Sequence, residues 1–233
     1  MLEEITVVLP TRNESANIPV FLQSLPPELS LIVVDASDDE TAAIVATLRP
    51  KNTRIIRHPG NITTARQIGA EEAVTSWLLF SDADVSFDSH YFENVIPYLH
   101  HYDAVYGPKK SHGAFNIYYS WFSRSQQLAH TLGIPAASGS NLMIRRDVFG
   151  RIGGFDMTLS VNEDSEIAWR LNRLGYNIAF ASSLAVYEHD HRRLEMGRFK
   201  KTTHSLLRCA LIFSGLMPKH LRQRDWGYWV ESR

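Results

Sequence analysis

One cysteine, Cys209, is the sole thiol in this 233-residue chain. A single thiol excludes an internal disulfide and any cysteine-based zinc cluster, and it fits a reducing compartment. No apolar run reaches the ~20 residues needed to span a bilayer. The opening stretch, with Glu3-Glu4 ahead of a strand-like run, does not read as a secretory signal. The expected location is therefore cytoplasmic, with a peripheral place on the cytoplasmic membrane face as the variant. Two phosphate-binding fingerprints are also missing. Neither the phosphate-loop lysine pattern nor G-x-G-x-x-G occurs, which argues against a P-loop NTPase or a Rossmann dehydrogenase. Internal repeats, low-complexity segments and linkers are absent too, so one domain with a C-terminal arm is the economical reading.

What is present is a chain able to bury a core, at 44% apolar and 21% charged residues. The net charge of −1 hides an asymmetry. Residues 1–188 carry 14 Lys/Arg against 21 Asp/Glu, and residues 189–224 carry 9 against 2. A basic arm on an acidic body suits an anionic partner such as phosphates or a membrane surface. A solvated helical face accounts for it equally well.

Apolar runs at Ile5–Leu9, Leu31–Val34, Ile55-Ile56 and Trp77–Phe80 read as strands. Helical patterns separate them. Ile18, Phe21, Leu22 and Leu25 form one, Thr41–Val45 begins another after the capping-box spacing of Ser37 and Glu40, and a third runs from Thr64 to about Thr75. Uniformly apolar strands alternating with helices predict a parallel α/β sheet covered on both faces. Functional residues then belong at the C-terminal strand ends. Later, residues 114–132 read as an aromatic-rich helix. Ser160 and Glu163 show capping-box spacing before a stripe of Ile167, Leu171 and Leu174, and Ile178–Val186 reads as a strand.

Each early strand ends in polar residues: Pro10-Thr11-Arg12-Asn13-Glu14, Asp35-Ala36-Ser37-Asp38 and Asp82-Ala83-Asp84. One such ending is an ordinary turn or cap. Three at one sheet edge build a crevice suited to a nucleotide, with the Asp82/Asp84 pair placed to hold a hard cation and its phosphates. Gly60–Gly69 adds a helix N-terminus with Arg66 one turn in, able to fork onto phosphate or to orient a carboxylate. Glu163-Asp164 in a first helical turn complements the helix dipole or supplies a carboxylate base. His189 and His191, ahead of Arg192-Arg193, read either as a surface turn or as part of a metal shell beside a diphosphate.

These segments, in this order and over roughly residues 4–195, resemble the family 2 glycosyltransferases of the GT-A fold. Val8–Glu14 resembles the first nucleotide-binding strand and loop. Val33–Thr41 resembles the second, with Ala36 where the family usually has another Asp, so Asp35 alone carries over. Asp82-Ala83-Asp84 resembles the D-x-D motif, and Gly153–Asp156 with Asn162–Asp164 resembles the acceptor side. The resemblance implies transfer of a sugar, with inversion, from a nucleoside diphosphate donor to a hydroxyl acceptor on a glycan or lipid. It implies Mg²⁺ or Mn²⁺ as cofactor, a mild preference for a UDP-sugar, and cell-envelope polysaccharide as the setting. By the same resemblance Asp84 and His191 hold the metal, His191 being preferred over His189. Asp82 contacts ribose or metal-bound water, and Asp164 is the base. Pro10, Arg12, Glu14, Asp35 and Arg66 frame the nucleotide.

The expected division is a GT-A domain over 1–195 and a helical arm over 196–233. Ser205–Phe213 reads as a core or homodimer helix, or as an interfacial helix with Arg198, Lys200 and Lys201 toward anionic headgroups. No nucleic acid is expected as a partner. Two other classes compete: a nucleotidyltransferase on a related sheet, and a non-catalytic sugar- or lipid-binding module of the same fold.

Overall fold

A computed structural model describes residues 1–113, 115–191, 194 and 198–223. The first half alternates as expected. Strands Ile5–Thr11 (β1), Ser30–Asp35 (β2), Thr53–Arg57 (β3) and Trp77–Phe80 (β4) are separated by helices Ile18–Gln23 (α1), Thr41–Leu48 (α2) and Ile62–Glu72 (α3). The chain continues through Val85–Phe87 (β5), Tyr91–Asn94 (α4), Ile96–Leu99 (α5), Ala104–Tyr106 (β6), Lys109–Lys110 (β7), Asn116–Thr131 (α6), Leu142–Arg145 (β8) and Arg146–Arg151 (α7). Glu163–Arg173 (α8), Ile178–Phe180 (β9), Val186–Glu188 (β10), Arg198–Phe213 (α9) and Lys219–Arg222 (α10) follow.

The central sheet runs β3-β2-β1-β4-β8-β6-β9, parallel except for β8, which is antiparallel to both neighbours. Side-chain alternation on these strands feeds two cores. Val7, Leu9, Leu31, Val33, Leu79 and Met143 face Phe21, Leu22 and Val45 of α1 and α2. Val8, Ile32, Leu78, Phe80 and Ile144 face Ala65 of α3, Val148 of α7 and Ile167 and Leu171 of α8. Each fully buried aliphatic side chain contributes ~1.5–3 kcal/mol, so this double-sided burial dominates the fold's stability. Register sets the functional edge: Thr11 lies opposite Asp35, and Asp35 opposite Arg57.

Several local expectations need correction. Ile178–Val186 is not one strand. The chain turns at the exposed pair Ser182-Ser183, so β9 joins the central sheet while β10 joins a second sheet, β5-β10-β7. The two sheets come close at Gly107, where a β-carbon would lie 1.8 Å from the Leu184 carbonyl oxygen. Neither capping box forms. Ser37 Oγ donates to Asp35 at 2.6 Å, and Asp39 accepts the Thr41 amide instead. Ser160 Oγ donates to the Gln223 carbonyl at 3.0 Å, and α8 starts from Asn162 in the left-handed region, at φ 64°. Leu174 is exposed, so the buried stripe of α8 is Ile167, Ala168 and Leu171.

The arm folds back onto the body. Phe213 of α9 stacks on Trp169 of α8 at 4.8 Å, and Leu159, Ile212 and Met217 form a small core of their own. Arg208 is buried. Its Nε donates to Asn162 Oδ1 at 3.0 Å, and its terminal nitrogens donate to the carbonyls of Leu221 and Val161. Leu206 and Leu207 of α9 are exposed, as is Leu216 beyond the helix. Among the described residues no helix is long and apolar enough to cross a membrane.

Candidate active site

At the C-terminal sheet edge, the level ends of β1, β2 and β3 turn three side chains toward one another. Asp35, 1% exposed, accepts hydrogen bonds from Thr11 Oγ1 (2.7 Å) and Ser37 Oγ and pairs with Arg57. The loop after β1 is held against the loop after β2. The Asn13 amide donates to Ser37 Oγ, the Glu14 amide to Thr41 Oγ1 (2.9 Å), and the Asp38 amide to Asn13 Oδ1 (2.9 Å). Pro10 is buried within β1, whereas Arg12 and Glu14 are partly exposed in the loop. Glu14 accepts the Asn17 side-chain amide at 2.8 Å.

Arg66 sits between the two acidic motifs. It is 3% exposed, and its two terminal nitrogens donate to Glu163 Oε1 and, at 2.5 Å, to Asp82 Oδ1. In the structure its contacts are thus with carboxylates from both acidic motifs. Burial works against its charge, but Asp82, Glu163 and Asp164 together keep the guanidinium protonated far above any working pH. Burial pushes the Glu163 carboxyl up to about 7, with Arg66 opposing and Asp164 reinforcing. Gly139 lies on the guanidinium, where a β-carbon would fall 2.2 Å from Nη1, and its own amide donates to Asp164 Oδ2 at 2.6 Å. Asp164 also accepts the Ser165 amide at 2.7 Å and remains partly exposed. Of the neighbouring carboxylates, Glu163 is thus structural in its contacts while Asp164 keeps access to solvent.

The surroundings of the Asp82-Ala83-Asp84 motif are built by the second sheet. Glu188 lies opposite Val85, and the His189 amide donates to the Asp84 carbonyl at 2.8 Å. His189 Nε2 is bonded to Ser86 Oγ at 2.8 Å. His191 Nε2 bonds Ser111 Oγ at 3.2 Å, while its Nδ1 is buried without a hydrogen-bond partner among the described residues. The rings of Phe115 and Tyr119 pack against it at 5.4 and 6.0 Å. Lys109, nearly buried, pairs with Glu188. Among the described residues, no group of three or more His, Cys, Asp or Glu side chains is arranged to hold a metal ion.

A family model described as glycosyl transferase family 2 matches residues 6–153. This chain belongs to that family. Succinoglycan biosynthesis protein ExoA of Rhizobium meliloti (strain 1021) is 24% identical to the family 2 chain over 211 residues, which is 81% of this chain. The chain spans 64% of ExoA's length. Among solved structures, the mannosyltransferase PcManGT from Pyrobaculum calidifontis, in complex with GDP-Man and Mn²⁺, has a TM-score of 0.73 at 20% identity, covering 94% of this chain and 69% of that one. S. aureus TarS 1-349 in complex with UDP-GlcNAc has a TM-score of 0.67 at 19% identity, covering 98% and 76%. The fold of the family 2 chain is thus the GT-A fold expected from its motifs.

Within this family 2 fold, Arg66, Asp82, Glu163 and Asp164 are brought together, and Thr11, Asp35 and Arg57 form a separate cluster at the neighbouring strand ends. Gly153–Asp156 serves packing: Phe155 stacks edge-on against Phe80 at 4.9 Å, and Asp156 accepts from Thr158 and pairs with Arg222. Arg192 and Arg193 lie outside the described residues, as do the side chains of Arg198, Lys200 and Lys201. The sequence reading missed Lys109 and Glu188. A signal was available, because Gly107-Pro108-Lys109 follows the short apolar run Ala104–Tyr106 as a polar strand ending like the others.

Proposed function

We propose that this chain carries a metal-dependent, inverting glycosyltransferase domain that moves a sugar from a nucleoside diphosphate donor to a hydroxyl acceptor. The observation that carries the reading is Arg66, which ties Asp82 of the D-x-D motif to Glu163, the neighbour of the candidate base. Donor-side and acceptor-side carboxylates therefore belong to one crevice. Asp84 and His191 would hold Mg²⁺ or Mn²⁺. The donor set fits, because these ions bind through one or two protein ligands plus substrate phosphates. The buried, unbonded Nδ1 of His191 supports a ligand at that nitrogen. The ion supplies positive charge for the departing diphosphate.

The chain's own residues supply the rest. Asp164, held by the Gly139 and Ser165 amides, takes the proton from the attacking acceptor hydroxyl. Arg66 and Glu163 fix the turn from which Asp164 projects. One base facing one leaving group gives in-line displacement with inversion. Pro10, Arg12, Glu14 and Asp35 frame the nucleotide, and Asp82 adds a ribose or water contact. Relatives bind GDP-Man and UDP-GlcNAc, which supports a nucleotide-sugar donor without choosing its base. A glycan acceptor agrees with the likeness to the succinoglycan biosynthesis protein ExoA.

The test is a pair of variants. Asp84→Ala should abolish Mn²⁺-dependent thermal stabilisation by nucleotide-sugars. Asp164→Asn should keep that stabilisation while losing transfer by roughly 10²–10⁴-fold. Wild-type transfer in Asp164→Asn would sink the base assignment. No stabilisation of the wild-type chain across a UDP- and GDP-sugar panel would instead favour the binding-module reading.

A further inference from the structure

Lys109 is a buried cation that the reaction outlined above leaves without a task. Its ammonium is in contact with Glu188, and both side chains are largely buried, at 16% and 8% exposed. Strand pairing places this ion pair beside the metal end. Lys109 lies opposite Val186 on β10, Glu188 closes the same strand opposite Val85, and the next residue, His189, holds the Asp84 carbonyl through its amide. Burial works against the Lys109 charge, and it is kept by Glu188 first, then Asp84, then Asp82. Tyr119 of α6, itself buried, packs its ring near His191 and is within electrostatic reach of Glu188, Lys109 and Asp84. The ammonium thus contacts one carboxylate, Glu188, and is acted on electrostatically by Asp84, Asp82 and the Tyr119 phenol.

Two consequences follow from placing one fixed positive charge there. Before donor arrives, Lys109 already partly neutralises Asp84 and Asp82, so a divalent ion gains less from them than from an uncompensated pair. Once a diphosphate is bound, the same charge attracts it. Glu188 sets the balance by drawing the ammonium to its own side of β10.

We infer that Lys109, positioned by Glu188, makes metal and nucleoside diphosphate bind as a cooperative pair: it weakens binding of the ion alone and strengthens binding of the diphosphate. Lys109 is a positioning and specificity residue in this sense, favouring donors that bring two phosphates. The inference rests on the proposed metal-dependent reading. By linkage, the coupling is reciprocal between ion and nucleotide.

The experiment follows free Mn²⁺ by its paramagnetic resonance signal during titration of the whole chain, alone and with UDP, GDP or UMP. In the wild type, Mn²⁺ should bind weakly alone and tighten with UDP or GDP more than with UMP. Lys109→Met should bind Mn²⁺ alone about tenfold more tightly, by removal of a nearby like charge, and should lose most of the diphosphate-dependent gain. Glu188→Gln should shift Mn²⁺ alone the other way, and Lys109→Arg should behave as wild type. A role in packing alone would weaken both ligands together. Unchanged or weakened Mn²⁺ binding in Lys109→Met, with the melting temperature preserved, overturns the inference. Should that variant not fold, unchanged or tightened Mn²⁺ binding in Glu188→Gln does the same. No Mn²⁺ binding by the wild type with either diphosphate overturns the metal-dependent reading and this inference together.

Discussion

Glu163 and Asp164 are adjacent in sequence and opposite in circumstance. Glu163 is 2% exposed and spends its carboxylate on Arg66, while Asp164 accepts two backbone amides and faces solvent. The difference has a pH signature. Burial raises the folded-state value of Glu163 from 4.5 to about 7, so between those limits the folded chain holds a proton that the unfolded chain has released. Stability contributed by this group is therefore fully present below about 4.5, falls as pH rises to about 7, and levels off above. Glu163→Gln should flatten that part of the stability–pH curve, by an amount on the order of 3 kcal/mol. Urea unfolding at several pH values measures it, and equal slopes in both proteins would refute it. The acidic pair itself was legible in the sequence. Which member is buried was not, because burial here depends on Arg66, far away along the chain.

Among the elements, the early strands were the easiest to read. Their apolar runs are continuous because both faces are covered, and their polar ends fall where the sheet stops. Later elements were harder for a physical reason. β8 enters between β4 and β6 in the opposite direction, and β9 and β10 separate into two sheets over a two-serine turn. Such pairings join residues distant in sequence and leave no local period. The capping boxes failed because Ser37 and Ser160 found stronger partners in Asp35 and the Gln223 carbonyl. Helix α9 is the element whose attachment can be tested most directly. Arg208→Met keeps the apolar stem and removes three hydrogen bonds, leaving the Val161 and Leu221 carbonyls and the Asn162 side chain to find water. A loss of about 2–4 kcal/mol and faster proteolysis near α9 are expected. Protease resistance equal to wild type would show that the arm is held by its apolar contacts alone.

At the scale of the whole molecule, the basic C-terminal segment also carries exposed apolar side chains. The body is acidic, while residues 189–224 are basic, and α9 with the turn after it leaves Leu206, Leu207 and Leu216 in solvent. That combination suits an anionic lipid surface, where basic side chains near the headgroups contribute about 1 kcal/mol each. Co-sedimentation with vesicles containing anionic lipid is expected at low salt and should weaken as salt rises. Binding unaffected by salt, or equal on neutral vesicles, would count against it. The family match ends at residue 153, so Asp164, Arg208 and this surface all lie beyond the segment by which the family is recognised.

The contact between Gly107 and the Leu184 carbonyl has a bearing on how such chains can be recombined. With 1.8 Å left for a β-carbon, the seam between the two sheets is set by a missing side chain in the link from β6 to β7 and a backbone oxygen in the link from β9 to β10. Grafting a foreign C-terminal half onto this N-terminal half therefore transplants one lip of that seam without its mate. Chimeras should inherit residues 107 and 184 from the same parent, and crossovers that divide them are the ones to avoid.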